Sequence, residues 1–114
     1  MTTPIMRDPL AEGDLVDWGE VPTMIEGHSM TSGKILHKGD GGRSECGIWL
    51  CTPGKWVCEV TADEFCHFLE GRCTYTHESG EVIEIEPDTA AFFEEGWKGT
   101  CVVHETVRKV YMIR

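Results

Sequence analysis

Acidic and sulfur-containing side chains alternate with other residues in the segment 64–68. A β-strand places every second residue on one face, so Glu64, Cys66 and Phe68 would share a face. A carboxylate can transfer a proton, and a thiol can bind a soft metal ion. A buried carboxylate needs a partner or a role, so Glu64 is a candidate functional residue, whereas cysteine often serves as a small apolar core residue.

Six cysteines and five histidines are further potential metal donors. No two cysteines have the Cys-x-x-Cys spacing, so a zinc ribbon or thioredoxin-type site is not indicated. The histidines form no metal-spaced pair, and we expect most of them at the surface. The six cysteines are Cys46, Cys51, Cys58, Cys66, Cys73 and Cys101.

Strands that could position these side chains recur after Ser44, where short runs of β-branched and aromatic residues alternate with turn signals. This rhythm predicts an antiparallel sandwich or barrel, because βαβ units need longer helical patterns between strands. Alternation in 81–86, with Ile83 and Ile85 on one face, indicates one buried face. The predicted strands are 44–51, 55–60, 64–70, 72–77, 81–86, 90–94, 98–104 and 107–113.

The first forty-three residues have a different composition, because glycines interrupt them often. We expect residues 1–43 to form an arm with one or two short strands that packs on the barrel. Residues 44–114 would form the barrel itself. The chain of 114 residues then makes one domain in all.

Composition limits the partners and the compartment. Twenty acidic against ten basic residues give a formal net charge of −10, which disfavours nucleic acid. The sequence has no apolar run long enough for a membrane helix and no leader-like N-terminus, so no membrane partner is expected. We therefore expect a cytoplasmic protein whose cysteines are reduced.

Four segments, taken in order, carry a family resemblance: 52–56 (TPGKW), 64–71 (EFCHFLEG), 96–100 (GWKGT) and 105–111 (ETVRKVY). Together they resemble the small cupin family related to ureidoglycine aminohydrolases and to the ethanolamine-utilisation cupin. The resemblance covers about residues 44–114. It implies an all-β fold, the cupin double-stranded β-helix or jelly-roll barrel with a short N-terminal arm, a small-molecule pocket and a homodimer.

The wider cupin pattern holds a divalent metal with two histidines, a glutamate and a third histidine. Glu64 matches the glutamate, and the third histidine falls on Gly99. The first two histidines fall on Val57 and Glu59, or on Cys58 and Val60 if the connecting loop is one residue shorter. Three of the four ligand positions are altered, so we expect no cofactor and no stoichiometric metal, unless cysteines replace the missing ligands.

In the cupin frame, the resemblance places Glu64 and Cys66 inside the barrel, with Glu59 from the preceding strand and Cys101 on the opposite wall. The catalytic candidates are Glu64 and Glu59. The ligand-binding candidates are Cys66, Cys101, Trp56, Trp97 and Tyr75, although cysteines in a core and tryptophans over a core edge are alternatives. The expected function is a small-molecule metabolic cupin acting on a nitrogen-containing or carboxylated metabolite. The alternative is a non-enzymatic small-molecule-binding or stress-response dimer.

The expected surroundings of Glu64 would lower the stability of the folded protein at neutral pH. An apolar wall and a second acid, Glu59, would both disfavour the ionised form of Glu64. Glu64→Gln is then expected to raise the melting temperature of the ligand-free protein at neutral pH. A positive partner such as Arg72 or Arg108 would reverse that expectation, but Arg108 and Lys109 are expected to pair with surface carboxylates.

Overall fold

The computed structural model describes residues 2–114, and nine strands within that range form one curled antiparallel sheet. A 3₁₀ turn, Asp40–Gly42, joins the third strand to the fourth. The strands are β1 (Val16–Glu20), β2 (Met24–Glu26), β3 (Met30–Lys38), β4 (Glu45–Cys51), β5 (Gly54–Glu59), β6 (Glu64–His77), β7 (Val82–Ile85), β8 (Thr89–Phe93) and β9 (Lys98–Ile113). The described residues include no helix with the length and hydropathy needed to cross a bilayer.

The central strand of the sheet is β9, which is sixteen residues long. One of its edges pairs with β6. Its other edge pairs first with β5 and then with β4. The far edge of β6 carries β8 and β7, and every pairing is antiparallel. The prediction of an all-β barrel is confirmed.

Two predicted strand breaks are wrong. Segments 64–70 and 72–77 form one strand, β6, and segments 98–104 and 107–113 form one strand, β9. Gly71 has a φ of +87°, and a Cβ atom there would lie 2.1 Å from the carbonyl oxygen of Thr106. Only glycine fits this close approach, and the register shifts around it, so Gly71 bends a continuous strand at a bulge instead of ending it.

The N-terminal arm contributes three strands, more than the one or two expected. The nine-residue β3 pairs with the full length of β4, and β1 pairs in turn with β3. The preceding segment is held by Arg108, which donates hydrogen bonds to the carbonyl oxygens of Pro9 (3.0 Å) and Glu12 (3.1 Å). The arm therefore adds strands to the barrel sheet, beginning at the edge of β4.

The core fills the concave side of the sheet. Alternation in β6 is as expected, because Cys66 and Phe68 are fully buried whereas Phe65 is 53% exposed. Burial raises the pKa of Cys51 to about 11 and that of Cys66 to about 12, so both thiols are protonated at neutral pH. These cysteines pack in the core as small apolar residues.

Candidate functional site

One end of the barrel contains a cavity of about 340 Å³, at the ends of β8 and β9 and the starts of β4 and β6. This volume lies near the lower limit of the roughly 300–1,000 Å³ typical of ligand pockets, so the cavity suits a small metabolite. Six aromatic side chains are among its lining residues. They are Trp18, Trp49, Trp56, Tyr75, Phe93 and Tyr111.

The main polar feature of the cavity is an ion pair between Lys109 and Glu64. The Lys109 Nζ atom lies 2.5 Å from the Glu64 Oε2 atom and donates a hydrogen bond to it. Lys109 is only 8% exposed, and its Nζ lies 4.5 Å from the centroid of the Trp49 ring. Both charged residues line the cavity, so a buried cation and its counter-charge face any bound molecule.

Strand register explains why a lysine lies inside the barrel. Val107, Lys109 and Tyr111 alternate along β9 and are all buried. Lys109 is opposite Trp49 on β4, which lines the cavity, and Phe68 on β6, which is fully buried in the core. The expectation that Lys109 pairs with a surface carboxylate is therefore wrong, because the alternation of β9 turns this side chain inward.

The charge state of Lys109 follows from two opposing effects. Burial disfavours the ammonium ion, but the adjacent Glu64 carboxylate favours it. The net effect raises the pKa of Lys109 above its ordinary value of 10.5, so the side chain carries a positive charge at neutral pH. The cavity thus contains a permanent cation.

A second polar contact lies beside the first. The Tyr111 hydroxyl donates a hydrogen bond of 2.5 Å to the Glu45 Oε2 atom, and the Lys38 Nζ atom lies 4.0 Å from Glu45 Oε1. Burial, assisted by this hydrogen bond, raises the pKa of Tyr111. Sequence reasoning did not identify Glu45, Tyr111, Trp49 or Lys109, since none belongs to the cupin metal motif.

The structure separates the candidate site residues. Glu64, Trp56 and Tyr75 line the cavity; Glu59 does so too, but it is an exposed residue at the cavity margin. The three remaining candidates are not among the lining residues. Cys66 and Cys101 are fully buried in the core, and Trp97 packs behind the cavity wall, with its ring 5.8 Å from Tyr75 and 5.3 Å from Phe93.

Glu59 lines the same cavity as Glu64, but the expectation that Glu64 has no compensating charge is wrong. Its neighbour is the Lys109 ammonium, and neither arginine considered as a partner reaches it. Arg72 instead lies 3.3 Å from Glu86, and Arg108 lies 3.3 Å from Glu70. Glu64 therefore has a compensating charge, and the expected gain in stability from Glu64→Gln no longer follows.

The residues at the cupin ligand positions do not fit a histidine-type metal centre. Cys58 and Val60 line the cavity whereas Val57 is exposed, which supports the shorter-loop reading. Valine has no donor atom, and burial raises the pKa of Cys58 to about 11, which keeps its thiol protonated at neutral pH. Among residues 2–114, no group of three or more His, Cys, Asp or Glu side chains could hold a metal ion.

Comparison with known proteins identifies the family. The sequence profile of the EutQ-like cupin domain matches residues 38–111, which is most of the chain. The chain belongs to the EutQ-like cupin family. The resemblance to the ethanolamine-utilisation cupin is thereby confirmed, and so is the cupin fold. No match was found among curated proteins.

Solved structures show the same fold. A protein of unknown function from Pseudomonas syringae pv. tomato has a TM-score of 0.83 at 21% identity over 94% of this EutQ-like cupin. The match covers 46% of the Pseudomonas chain, so the present chain spans about half its length. Clostridium difficile EutQ has a TM-score of 0.64 at 17% identity, covering 75% of this chain and 68% of its own. A DUF861-family protein from Thermotoga maritima has a TM-score of 0.55 at 31% identity, with 56% and 73% covered.

Proposed function

We propose that this EutQ-like cupin binds a small metabolite in its barrel cavity. The observation that carries the proposal is the buried Lys109–Glu64 pair, which faces an aromatic cavity of about 340 Å³. A buried ion pair contributes little net stability, because desolvation offsets most of the attraction. A pair placed at a cavity wall is better explained by a ligand that it recognises.

The chemistry of the pair defines the ligand class. An ammonium group donates hydrogen bonds to a carbonyl or carboxylate oxygen, and a carboxylate accepts them from an N–H or O–H group. Aromatic rings contact the apolar body of the molecule. A nitrogen-containing or carboxylated metabolite provides both polar groups at a size that the cavity admits.

Binding is better supported than turnover. A general base must be unprotonated at the working pH, but Lys109 is charged and the Cys58 thiol is protonated at neutral pH. One observation favours catalysis as a second candidate. The Glu64 side chain is 20% exposed on the cavity side, where its carboxylate can accept a proton from a ligand, with Glu59 at the margin.

Calorimetric titration tests the proposal with a panel of small carboxylates, amides and amines. We expect at least one class to bind the wild-type protein, and Lys109→Met and Glu64→Gln to lose that binding. Glu70→Gln is the matched control, because the Glu70 side chain is 50% exposed and pairs with Arg108 at 3.3 Å outside the cavity. Loss of binding in the control, or equal binding by all variants, would contradict the proposal. Mass spectrometry of each ligand after incubation distinguishes turnover from binding.

We also propose that the protein is a homodimer that pairs through the outer face of the barrel. Phe92, Phe65 and Met112 are register partners on β8, β6 and β9, so they form a row across three strands. They are 61%, 53% and 49% exposed. A continuous apolar row of this kind is typical of a protein interface. Light scattering should report a dimer for the wild type and a monomer for Phe65→Ser; a wild-type monomer at micromolar concentration refutes the idea.

A reducing compartment, the cytoplasm, is the location we propose for the chain. All six cysteines lie in the described residues and are free thiols. Thiol titration of the unfolded protein after anaerobic purification should find six reactive groups, and a smaller number would count against this location.

A further inference from the structure

The positive charge in the cavity is the Lys109 ammonium, a side chain of the protein. Lys109 Nζ lies 2.5 Å from Glu64 Oε2, and Cys58 and Val60 line the same cavity as this ion pair. Cys58 and Glu64 occupy two of the four positions that the cupin pattern assigns to metal ligands. The ammonium ion therefore lies among the side chains that would surround a metal ion.

Backbone atoms of β6 leave no room for a side chain at Gly99, the position of the third histidine in the cupin pattern. A Cβ atom on Gly99 would lie 2.0 Å from the carbonyl oxygen of Thr76 and 2.9 Å from the Cα atom of His77. Contacts this short with backbone do not occur, so any side chain at this position would displace β9 from β6. Because Val60 also lacks a donor atom, the site cannot complete a shell of imidazoles around a metal.

Lys109 has more hydrogen-bond donors than partners. An ammonium group has three N–H donors, and within residues 2–114 its hydrogen-bond partner is Glu64. The Trp49 and Phe68 rings, with centroids 4.5 Å and 5.7 Å from Nζ, make cation–π contacts but do not replace conventional hydrogen-bond acceptors. Buried donors are almost always paired, and Lys109 lines the cavity, so an acceptor oxygen of a molecule inside it can bond to the ammonium.

We infer that the Lys109 ammonium takes the place of the metal ion in this barrel. It neutralises Glu64 and donates to a carboxylate or carbonyl oxygen of the ligand, so that the oxygen binds without any metal. The ligand oxygen rests on the proposed function, but the replacement of the metal by the ammonium does not. Separate experiments therefore test the two statements.

The first experiment asks whether the ammonium and a metal ion exclude each other. Cys58→His/Val60→His supplies two imidazoles next to Glu64, and it is compared with the same variant carrying Lys109→Met in addition. Both are titrated with Co²⁺ and Zn²⁺ by calorimetry and by cobalt absorption, after a cooperative melt shows that they fold. We expect the Lys109→Met form to bind roughly 100-fold more tightly, because the ammonium no longer occupies the site.

Equal metal affinities in the two forms, or no binding by either, would overturn the inference. If the Val60→His background does not fold, Cys58→His with and without Lys109→Met gives the same comparison with one imidazole fewer. Stoichiometric binding of either metal by the wild-type protein would also overturn it.

The second experiment uses butyrate, a small carboxylate with an apolar tail, as the probe. Saturation-transfer NMR should detect butyrate on the wild-type protein in the presence of EDTA, and the signal should be lost in Lys109→Met but kept in Glu70→Gln. Binding that EDTA abolishes would show that a metal, not the lysine, holds the oxygen. No butyrate signal on the wild type would refute the oxygen contact and count against the proposed function, while the metal titrations still decide the replacement.

Discussion

Replacing Glu64 by glutamine should destabilise the protein at neutral pH. The substitution keeps the size of the side chain but removes the counter-charge of Lys109, which is 8% exposed and 2.5 Å away. An ammonium ion then remains buried without a compensating charge. The effect is opposite in sign to that expected for a carboxylate held in an apolar wall beside another acid.

The magnitude follows from the geometry of the pair. Removing one member of a fully buried ion pair costs about 3–5 kcal/mol. Glu64 is 20% exposed and the glutamine carbonyl oxygen can still accept a hydrogen bond, so we expect a loss of about 2–3 kcal/mol. For a chain of this length, that loss lowers the melting temperature by roughly 10 °C.

A double-mutant cycle isolates the interaction. Lys109→Met leaves the Glu64 carboxylate, which is 20% exposed, without its counter-charge, so it should also cost about 2–3 kcal/mol. Glu64→Gln combined with Lys109→Met leaves neither charge unpaired and should be at least as stable as either single variant, giving a coupling of at least about 2 kcal/mol. Urea unfolding at pH 7 measures all four proteins, and Glu70→Gln, on the surface, should change stability by less than about 1 kcal/mol.

The pH dependence has a definite sign. The pKa of folded Lys109 is raised above 10.5, so its stabilising contribution is fully present below pH 10.5 and is lost as the pH rises through the folded value. Without the carboxylate, burial instead lowers the pKa of Lys109, so the folded Glu64→Gln variant should lose the unpaired charge and gain stability as the pH rises. The difference in unfolding free energy between the wild type and Glu64→Gln should therefore narrow toward pH 10.5. A Glu64→Gln protein that is as stable as the wild type at pH 7, or more so, would refute this account of the pair.

Three further predictions concern other positions. Gly71→Ala should cost about 2–4 kcal/mol of unfolding free energy in urea titrations, because of its positive φ and the 2.1 Å approach to Thr106; an unchanged midpoint would contradict the bulge. At Gly33, a Cβ atom would lie 2.3 Å from the carbonyl oxygen of Ile48 and 2.4 Å and 2.5 Å from ring atoms of Trp18. Gly33→Ala should therefore lower the urea midpoint and displace Trp18, with a change in tryptophan fluorescence that the same substitution in Trp18→Phe does not give; an unchanged midpoint and spectrum would contradict this packing. Cys58, left as the single cysteine, should react with iodoacetamide at pH 8 roughly 100-fold more slowly than an exposed cysteine, and the rate should rise toward pH 11. Reaction at the ordinary rate would place this thiol in solvent.

Local patterns in the sequence determined the fold class and one face of the site. Turn signals at short intervals indicate antiparallel strands, because such connections leave no room for crossover helices. Period-two alternation placed Cys66 and Phe68 on one face and Phe65 on the other, since it depends only on the pleat of a strand, and the cupin resemblance implied which face is inward. The same alternation did not show whether Gly71 is a turn or a bulge, because that depends on the neighbouring strand, which carries Thr106.

Tertiary structure decided which groups meet in the cavity. Lys109 and Glu64 are 45 residues apart, and they touch because β9 and β6 pair in a register that no local pattern encodes. Trp18 reaches the same cavity from the N-terminal arm, through β1 and β3. Curling of the sheet buried Cys101 in the core and left Glu59 at the cavity margin. The sequence identified Glu64 as a candidate acid, but its partner Lys109 depended on strand pairing between segments far apart along the chain.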